Sequence, residues 1–395
     1  MPSLDSVAAA CFWLSAAGIA YAYAGYPLVV WTAARLFGRT RRCPDEGASP
    51  PFISVLIAAH NEEDIITRRL QNAAALDYPS DRFEVVIASD GSTDATPSLV
   101  AEFNDPRVKL IEFRVRRGKA DVLNQVIPEL RGDIVVFSDA NAFIEPGVLR
   151  RVARWFQDDR VGVVCGRLVL SDPVSGNNVD SIYWKYETFL KICEARLDAL
   201  LGANGAIYAI RRKLFAPLRA GTLVDDFVLP LSIRLRTGSS IVYDTQSVAH
   251  EDTPAELASE FERRRRIGAG DFQSIPILYR LLAPSQGWIA FTFLSHKILR
   301  WLCPFLLVTM FVSNLLLVTD PWYALALAGQ IGAYGAAAAG LAARGPSSAA
   351  RLLRLITLFM TMNLALLVGF WKWAWCPPVG IWPRTARSNG ITMSK

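Results

Sequence analysis

Charge is missing from residues 6–34, 301–319, 321–343 and 355–371, while residues 35–285 carry an ordinary soluble mixture of charges and short apolar runs. Each uncharged stretch is near or above the ~20 residues that an α-helix needs to cross hydrocarbon. This pattern predicts membrane helices at both ends of the chain and a soluble domain between them. The overall hydrophobic share of 52% follows from those ends and is high for a soluble protein.

The first stretch is not read as a cleaved leader. No basic segment precedes it, and it far exceeds the ~7–15 apolar residues usual there. Arg35, Arg39, Arg41 and Arg42 follow it. By the positive-inside rule they put residues 35–285 in the cytoplasm. The expected layout is an N-terminal transmembrane helix at 1–37, a linker at 38–50 and a cytoplasmic domain at 51–285. An interfacial helix at 286–300, a transmembrane region of two or three spans at 301–376 and a tail at 377–395 follow. In the interfacial helix Trp288, Phe291, Leu294 and Ile298 share one face, with Ser295, His296 and Lys297 on the other. The alternative is that it extends the next span. A full crossing at 355–371 would put Arg384, Arg387 and Lys395 outside, against the same rule, so the last segment is either re-entrant or an exception.

Six scattered cysteines form no CxxC pair, which suits reduced thiols in a cytoplasmic domain. Three histidines make a His-based zinc site a poor expectation. A formal charge of +6 fits an anionic leaflet or phosphate ligands. No recognition helix or aromatic RNA platform argues for nucleic acid.

Within the domain, apolar runs at 52–59, 83–89, 108–113 and 133–138 alternate with helical stretches at about 95–104, 118–130 and 146–157. That alternation predicts an α/β fold with a mostly parallel sheet. Ligands bind outside the carboxyl ends of such strands, and there the sequence sets Asp90 and Asp139. The second half is expected to hold a strand at 161–170, helices at 178–200, 225–235 and 255–282, and a loop and strand at 202–209.

Several short segments carry candidate chemistry. Asp90-Gly91-Ser92-Thr93-Asp94 follows a strand, and its turn and cap explain it almost as well as a ligand does. Arg117-Gly118-Lys119-Ala120 opens a helix, where backbone N–H groups and a lysine suit an anion. Asp139 and Asn141 lie on one side of an extended segment and offer oxygens to a hard divalent cation. Asp225-Asp226 opens another helix. Capping accounts for Asp225 and leaves Asp226 for another role. Of the run Arg263-Arg264-Arg265-Arg266, at most two can face one crevice.

In order along the chain, SVLIAAHNEE (54–63), DGSTD (90–94), GKADVLN (118–124), SDAN (138–141), GANGAIYAIRR (202–212) and DD (225–226) resemble glycosyltransferase family 2. The likeness is to its membrane-embedded polysaccharide synthases, those of cellulose, chitin, hyaluronan and poly-N-acetylglucosamine. The resemblance implies an A-type glycosyltransferase fold and inverting transfer from a nucleotide sugar, a UDP-sugar being the favoured donor. The acceptor would be a polysaccharide or lipid-linked one, or a membrane lipid. It implies Mg²⁺ or Mn²⁺ at Asp139 and Asn141, nucleotide at Asp90, diphosphate at Lys119, and the general base at Asp226. Asn204 and Gly205 would shape the sugar pocket, and Arg266 would match the arginine of the family's Gln-x-x-Arg-Trp. It also implies a multi-pass protein of the cell membrane, the bacterial inner membrane being favoured. Two departures stand out. Arg263 and Ile267 occupy the Gln and Trp positions, and Asp225 stands where glutamate is usual. The tryptophan supports an acceptor sugar in those synthases, so repeated addition and single transfer to a lipid both stay open.

Overall fold

The computed structural model describes residues 3–47, 49–171, 180–252, 257–343 and 347–376. Arg344, Arg384, Arg387 and Lys395, on which the topology of the last segment turned, lie outside the described residues, as does the whole tail.

Among the described residues the domain is organised by eight strands in one sheet, in the order β3-β2-β1-β4-β7-β6-β8-β5. They are β1 Ile53–Ala59, β2 Phe83–Asp90, β3 Val108–Phe113, β4 Ile134–Phe137, β5 Ala142–Ile144, β6 Val161–Ser171, β7 Tyr208–Arg211 and β8 Ser240–Asp252. The first four pair in parallel. Their side chains alternate between two apolar cores. Val55, Val85, Ile87 and Val136 enter one, and Leu56, Val86, Val135 and Phe137 enter the other. β1, β2 and β4 are covered on both faces and read as largely apolar runs, whereas the edge strand β3 leaves Lys109 and Glu112 exposed.

The second half departs from the expected parallel order. β7 enters antiparallel between β4 and β6, and β5 pairs antiparallel with the edge of β8. β8 was not expected at all. Its sequence, Ser-Ile-Val-Tyr-Asp-Thr-Gln-Ser-Val-Ala-His-Glu-Asp, is too polar to announce a strand. It is held by long-range pairing with β6 and interrupted by a bulge where Gly166↔Asp244 gives way to Arg167↔Val248. Arg151 fixes the bulge through two bonds of 2.8 Å to Asp244.

Sequence alternation places the helices well, overestimating the length of some and stopping short of Thr237 in the helix Asp225–Thr237. The expected 118–130 segment is Lys119–Val126 followed by a 3₁₀ turn, and 255–282 is Leu257–Leu278 followed by another.

Among the described residues, three helices are long and apolar enough to cross a membrane: Leu4–Leu36, Trp288–Leu316 and Ser348–Trp375. A fourth apolar helix, Pro321–Gly340, joins the last two. Residues 288–300 run without a break into the second of these helices, through a π-helical stretch at Phe293–Ile298. Ser295 and His296, the expected polar face, are buried inside the protein. Ser295 Oγ lies 3.0 Å from Tyr21 Oη, in a matching π-stretch at Tyr21–Gly25 of the first helix. Tyr26 and Val30 of the first helix and Phe293 and Trp301 of the second belong to the same core as β1 and β4.

A buried polar cluster fastens these helices to the domain. Glu194 accepts from Tyr26 Oη at 2.6 Å and from His296 Nδ1 at 2.5 Å. Arg300 donates to Glu187 at 2.5 Å. Both glutamates come from the domain helix Asp180–Arg196.

Candidate active site

The site forms at the carboxyl ends of β1, β2 and β4, where the chain's order across the sheet reverses. Asp90 ends β2 and is fully buried. Its two oxygens accept from the backbone N–H of Arg117 at 2.7 Å and of Gly118 at 2.9 Å. Gly91, at φ +62°, lets the loop close, because a Cβ there would meet Arg116 N at 2.6 Å. The N–H groups that sequence reasoning offered to an external anion are thus satisfied by the chain's own carboxylate. Asp90 acts on the site by shaping the loop that delivers Lys119.

Lys119 opens its helix and reaches across to two other elements. Its Nζ lies 3.0 Å from Asp139 Oδ1 and 3.3 Å from Asp225 Oδ2. Burial opposes the ammonium charge, but Asp139, Asp225 and Asp226 outweigh it and raise its pKa. Asp139 follows β4 by two residues. Burial disfavours its carboxylate, yet Lys119, Arg266 and Arg69 hold it below the usual range.

Gly205 faces Asp139 directly. A Cβ there would lie 2.6 Å from Asp139 Oδ2, so the missing side chain leaves room beside that oxygen. Asn141 donates through Nδ2 to Glu251 at 2.6 Å, and its Oδ1 is an acceptor oxygen. Among the described residues no three His, Cys, Asp or Glu side chains gather into a metal cage. One carboxylate, one amide oxygen and an open cradle are a donor set that suits a hard ion completed by substrate oxygens.

Asn204 is buried within its own loop. It braces the loop, donating to Gly166 O at 2.9 Å and accepting from Ile207 N at 3.2 Å. The helix Asp225–Thr237 has Val224 at its N-cap, so capping does not explain Asp225. Asp225 serves Lys119 and accepts from Tyr208 Oη at 3.4 Å. Asp226 is pushed up to about 6 by burial and by Asp225 and Asp139, against Lys119 and Lys191. A carboxylate tuned there is a serviceable proton acceptor near neutral pH.

The four arginines divide cleanly. Arg263 and Arg264 pair with Glu260, and Arg265 pairs with Glu262. Arg266 lies in the field of Asp139, Asp225 and Asp226. Burial lowers its pKa against those carboxylates.

Three residues here were not anticipated. Lys191, on the helix Asp180–Arg196, feels Asp226. Asp271 is pushed up to about 7 by burial, with Lys297 opposing and Asp226 adding to the rise. An acid within the otherwise apolar Ile267–Phe272 was a signal that could have been weighed. Arg69 is fully buried, and nothing in its exposed-looking helix sequence marks it.

A mixed sheet with Asp90 and Asp139 at the carboxyl ends of its parallel strands is the arrangement of an A-type glycosyltransferase fold. The mannosyltransferase of Pyrobaculum calidifontis, solved in complex with GDP-Man and Mn²⁺, superimposes with a TM-score of 0.65. That match is 23% identical and covers 92% of this chain and 99% of that one. Residues 54–216 match the family model for glycosyl transferase family 2. The beta-monoglucosyldiacylglycerol synthase of Nostoc sp. is 37% identical over 142 residues, 35% of this chain and 30% of that protein. The poly-beta-1,6-N-acetyl-D-glucosamine synthase of Staphylococcus aureus is 27% identical over 235 residues, 55% of this chain and 54% of that protein. The chain thus spans less than two thirds of the length of these curated relatives.

Proposed function

We propose that the chain is an inverting glycosyltransferase. It moves a sugar from a nucleoside-diphosphate sugar to a growing polysaccharide or oligosaccharide at the cytoplasmic face of a membrane. The observation that carries this is the convergence of Asp139, Lys119, Asp225 and Arg266 around one crevice, with Asp226 raised to about 6 among them.

In this reading Asp226 takes the proton of the acceptor hydroxyl. The freed oxygen attacks the anomeric carbon from the side opposite the diphosphate. The new C–O bond forms as the anomeric carbon–phosphate oxygen bond breaks, and the diphosphate leaves with the electron pair. Attack from the opposite side inverts the configuration. Lys119 and Arg266 bear on the charge that develops on the leaving group. Asp139 and Asn141 would hold Mg²⁺ or Mn²⁺, which neutralises diphosphate charge when bound. Gly205 keeps the space beside Asp139 open, and Asp90 and Asn204 shape the loops around the donor. A UDP-sugar is the favoured donor, with a GDP-sugar the main competitor. Residues 51–285 would be cytoplasmic, anchored at a bacterial inner membrane by the helices on either side.

A second reading is single transfer to a membrane lipid. Ile267, where synthases of this type place tryptophan, favours it, and so does the likeness to a glucosyldiacylglycerol synthase.

The test uses membranes holding the full chain and a panel of labelled UDP- and GDP-sugars. Asp226→Asn should lower turnover by about 10²–10⁴-fold while donor binding persists. Undiminished turnover would remove Asp226 as the base. A product ladder or high polymer supports the first reading, and one sugar on a lipid supports the second.

A further inference from the structure

Arg69 is fully buried and is among the largest side chains with no solvent contact. Its Nε and Nη2 are buried without a hydrogen-bond partner. A guanidinium placed so is costly, and such a group needs a reason. Its Nη1 donates to Asn72 Oδ1 at 3.1 Å. Asn72 in turn grips β5 on both sides, donating to Ile144 O at 2.9 Å and accepting from Ile144 N at 2.9 Å. Ile144 ends the short segment that begins with Asp139 and Asn141. The carboxylate whose field reaches Arg69 is Asp139. Arg69 is therefore tied to the Asp139–Asn141 loop twice, by a hydrogen-bonded strap and by charge.

We propose that Arg69 is a positioning residue for this loop. Anchored through Asn72 to β5, its buried guanidinium holds the loop so that Asp139 and Asn141 present their oxygens together. The inference rests on the reading of Asp139 and Asn141 as the metal-holding pair. It adds a residue that touches neither donor nor acceptor. Lysine would keep the charge and lose the planar fork, and leucine would lose both.

The experiment measures Mn²⁺ retention by the purified full chain in nanodiscs, with UDP and separately GDP as the probe nucleotide. Free Mn²⁺ is read by electron paramagnetic resonance, and the thermal midpoint is read in parallel. Arg69→Leu should weaken retention by about tenfold or more, as loss of an outer partner of a metal ligand does. Its thermal midpoint should hold or rise, because an apolar side chain replaces a buried charge. Arg69→Lys should recover part of the retention. Asn72→Ala cuts the strap at a partly exposed position, and it should weaken retention in a folded protein even if Arg69→Leu fails to fold. Wild-type retention in Asn72→Ala, or in a folded Arg69→Leu, would overturn the proposal. Asp139→Asn separates the two levels. If it keeps wild-type retention, the reading of the metal-holding pair fails. If it loses retention while the Arg69 and Asn72 variants do not, only the role of Arg69 falls.

Discussion

Gly205 and Asp226 show how little space and charge decide this site. A Cβ at residue 205 would press on Asp139 Oδ2 at 2.6 Å. Gly205→Ala is therefore expected to reduce donor binding by tenfold or so, worth about 1.4 kcal/mol, with the thermal midpoint nearly unchanged. Nucleotide titration against a melting curve checks both halves. Asp226 is held near 6 partly by the negative charge of Asp225. Its basic form exists above that value, so kcat/KM should fall as pH drops through about 6. Asp225→Asn removes a like charge and should move this limb to lower pH in a rate profile. Asp90→Asn replaces an oxygen that accepts a backbone N–H with a donor. It should cost about 2 kcal/mol, the range for a hydrogen bond to a charged group, visible as a lower thermal midpoint. Some of the arrangement was legible in the sequence, since Lys119 pairs with Asp139 and both lie in the field of Asp226. The rest was not. No pattern announces that Asp90 spends its oxygens on the loop beside it, that Asn204 turns inward, or that Arg69 lies under β5, because each depends on contacts between segments distant in the chain.

Among the elements, those with strong local periodicity were foreseeable. β1 through β4 combine apolar runs with turn residues, and their parallel direction follows from alternation with helices. β8 was invisible for the opposite reason. It gains its pairing from β6 and its anchorage from Arg151, while its own residues are half polar. The helix Leu257–Leu278 is positioned by close approach rather than by charge. A Cβ at Gly369 would lie 2.8 Å from Ala269 N, and one at Gly268 would lie 3.2 Å from Leu366 Cα. This crossing sets Arg266 against the crevice from a helix that leans on the apolar helix Ser348–Trp375. Gly369→Leu should push the two apart and reduce turnover several-fold, although position 369 touches nothing in the site. A matched loss of donor affinity in the titration would locate the effect at Arg266.

For the whole molecule, the buried cluster of Glu187, Glu194, His296, Arg300 and Tyr26 joins the domain to two apolar helices. Burial works against Glu187's charge, and Arg300 with His296 holds its pKa well below the ordinary carboxylate range. Arg300→Met would leave Glu187 without its main cation. A destabilisation of about 3–5 kcal/mol is expected from breaking such a pair on one side only, read as a lower thermal midpoint in detergent. Glu187→Gln combined with Arg300→Met should recover much of it, because no charge is then stranded.

Phe227, the residue after Asp226, packs on Trp301 at 5.8 Å and Phe293 at 6.3 Å between ring centres. Both rings belong to a helix apolar enough to cross a membrane. The cooperative folding unit therefore does not end at residue 285, however plainly the charge pattern changes there. A fragment cut at that point would strip one wall from the core beneath the proposed base. What looks in the sequence like a freight car coupled to its anchors is, in free-energy terms, a single vessel whose hull and deck share the same planks.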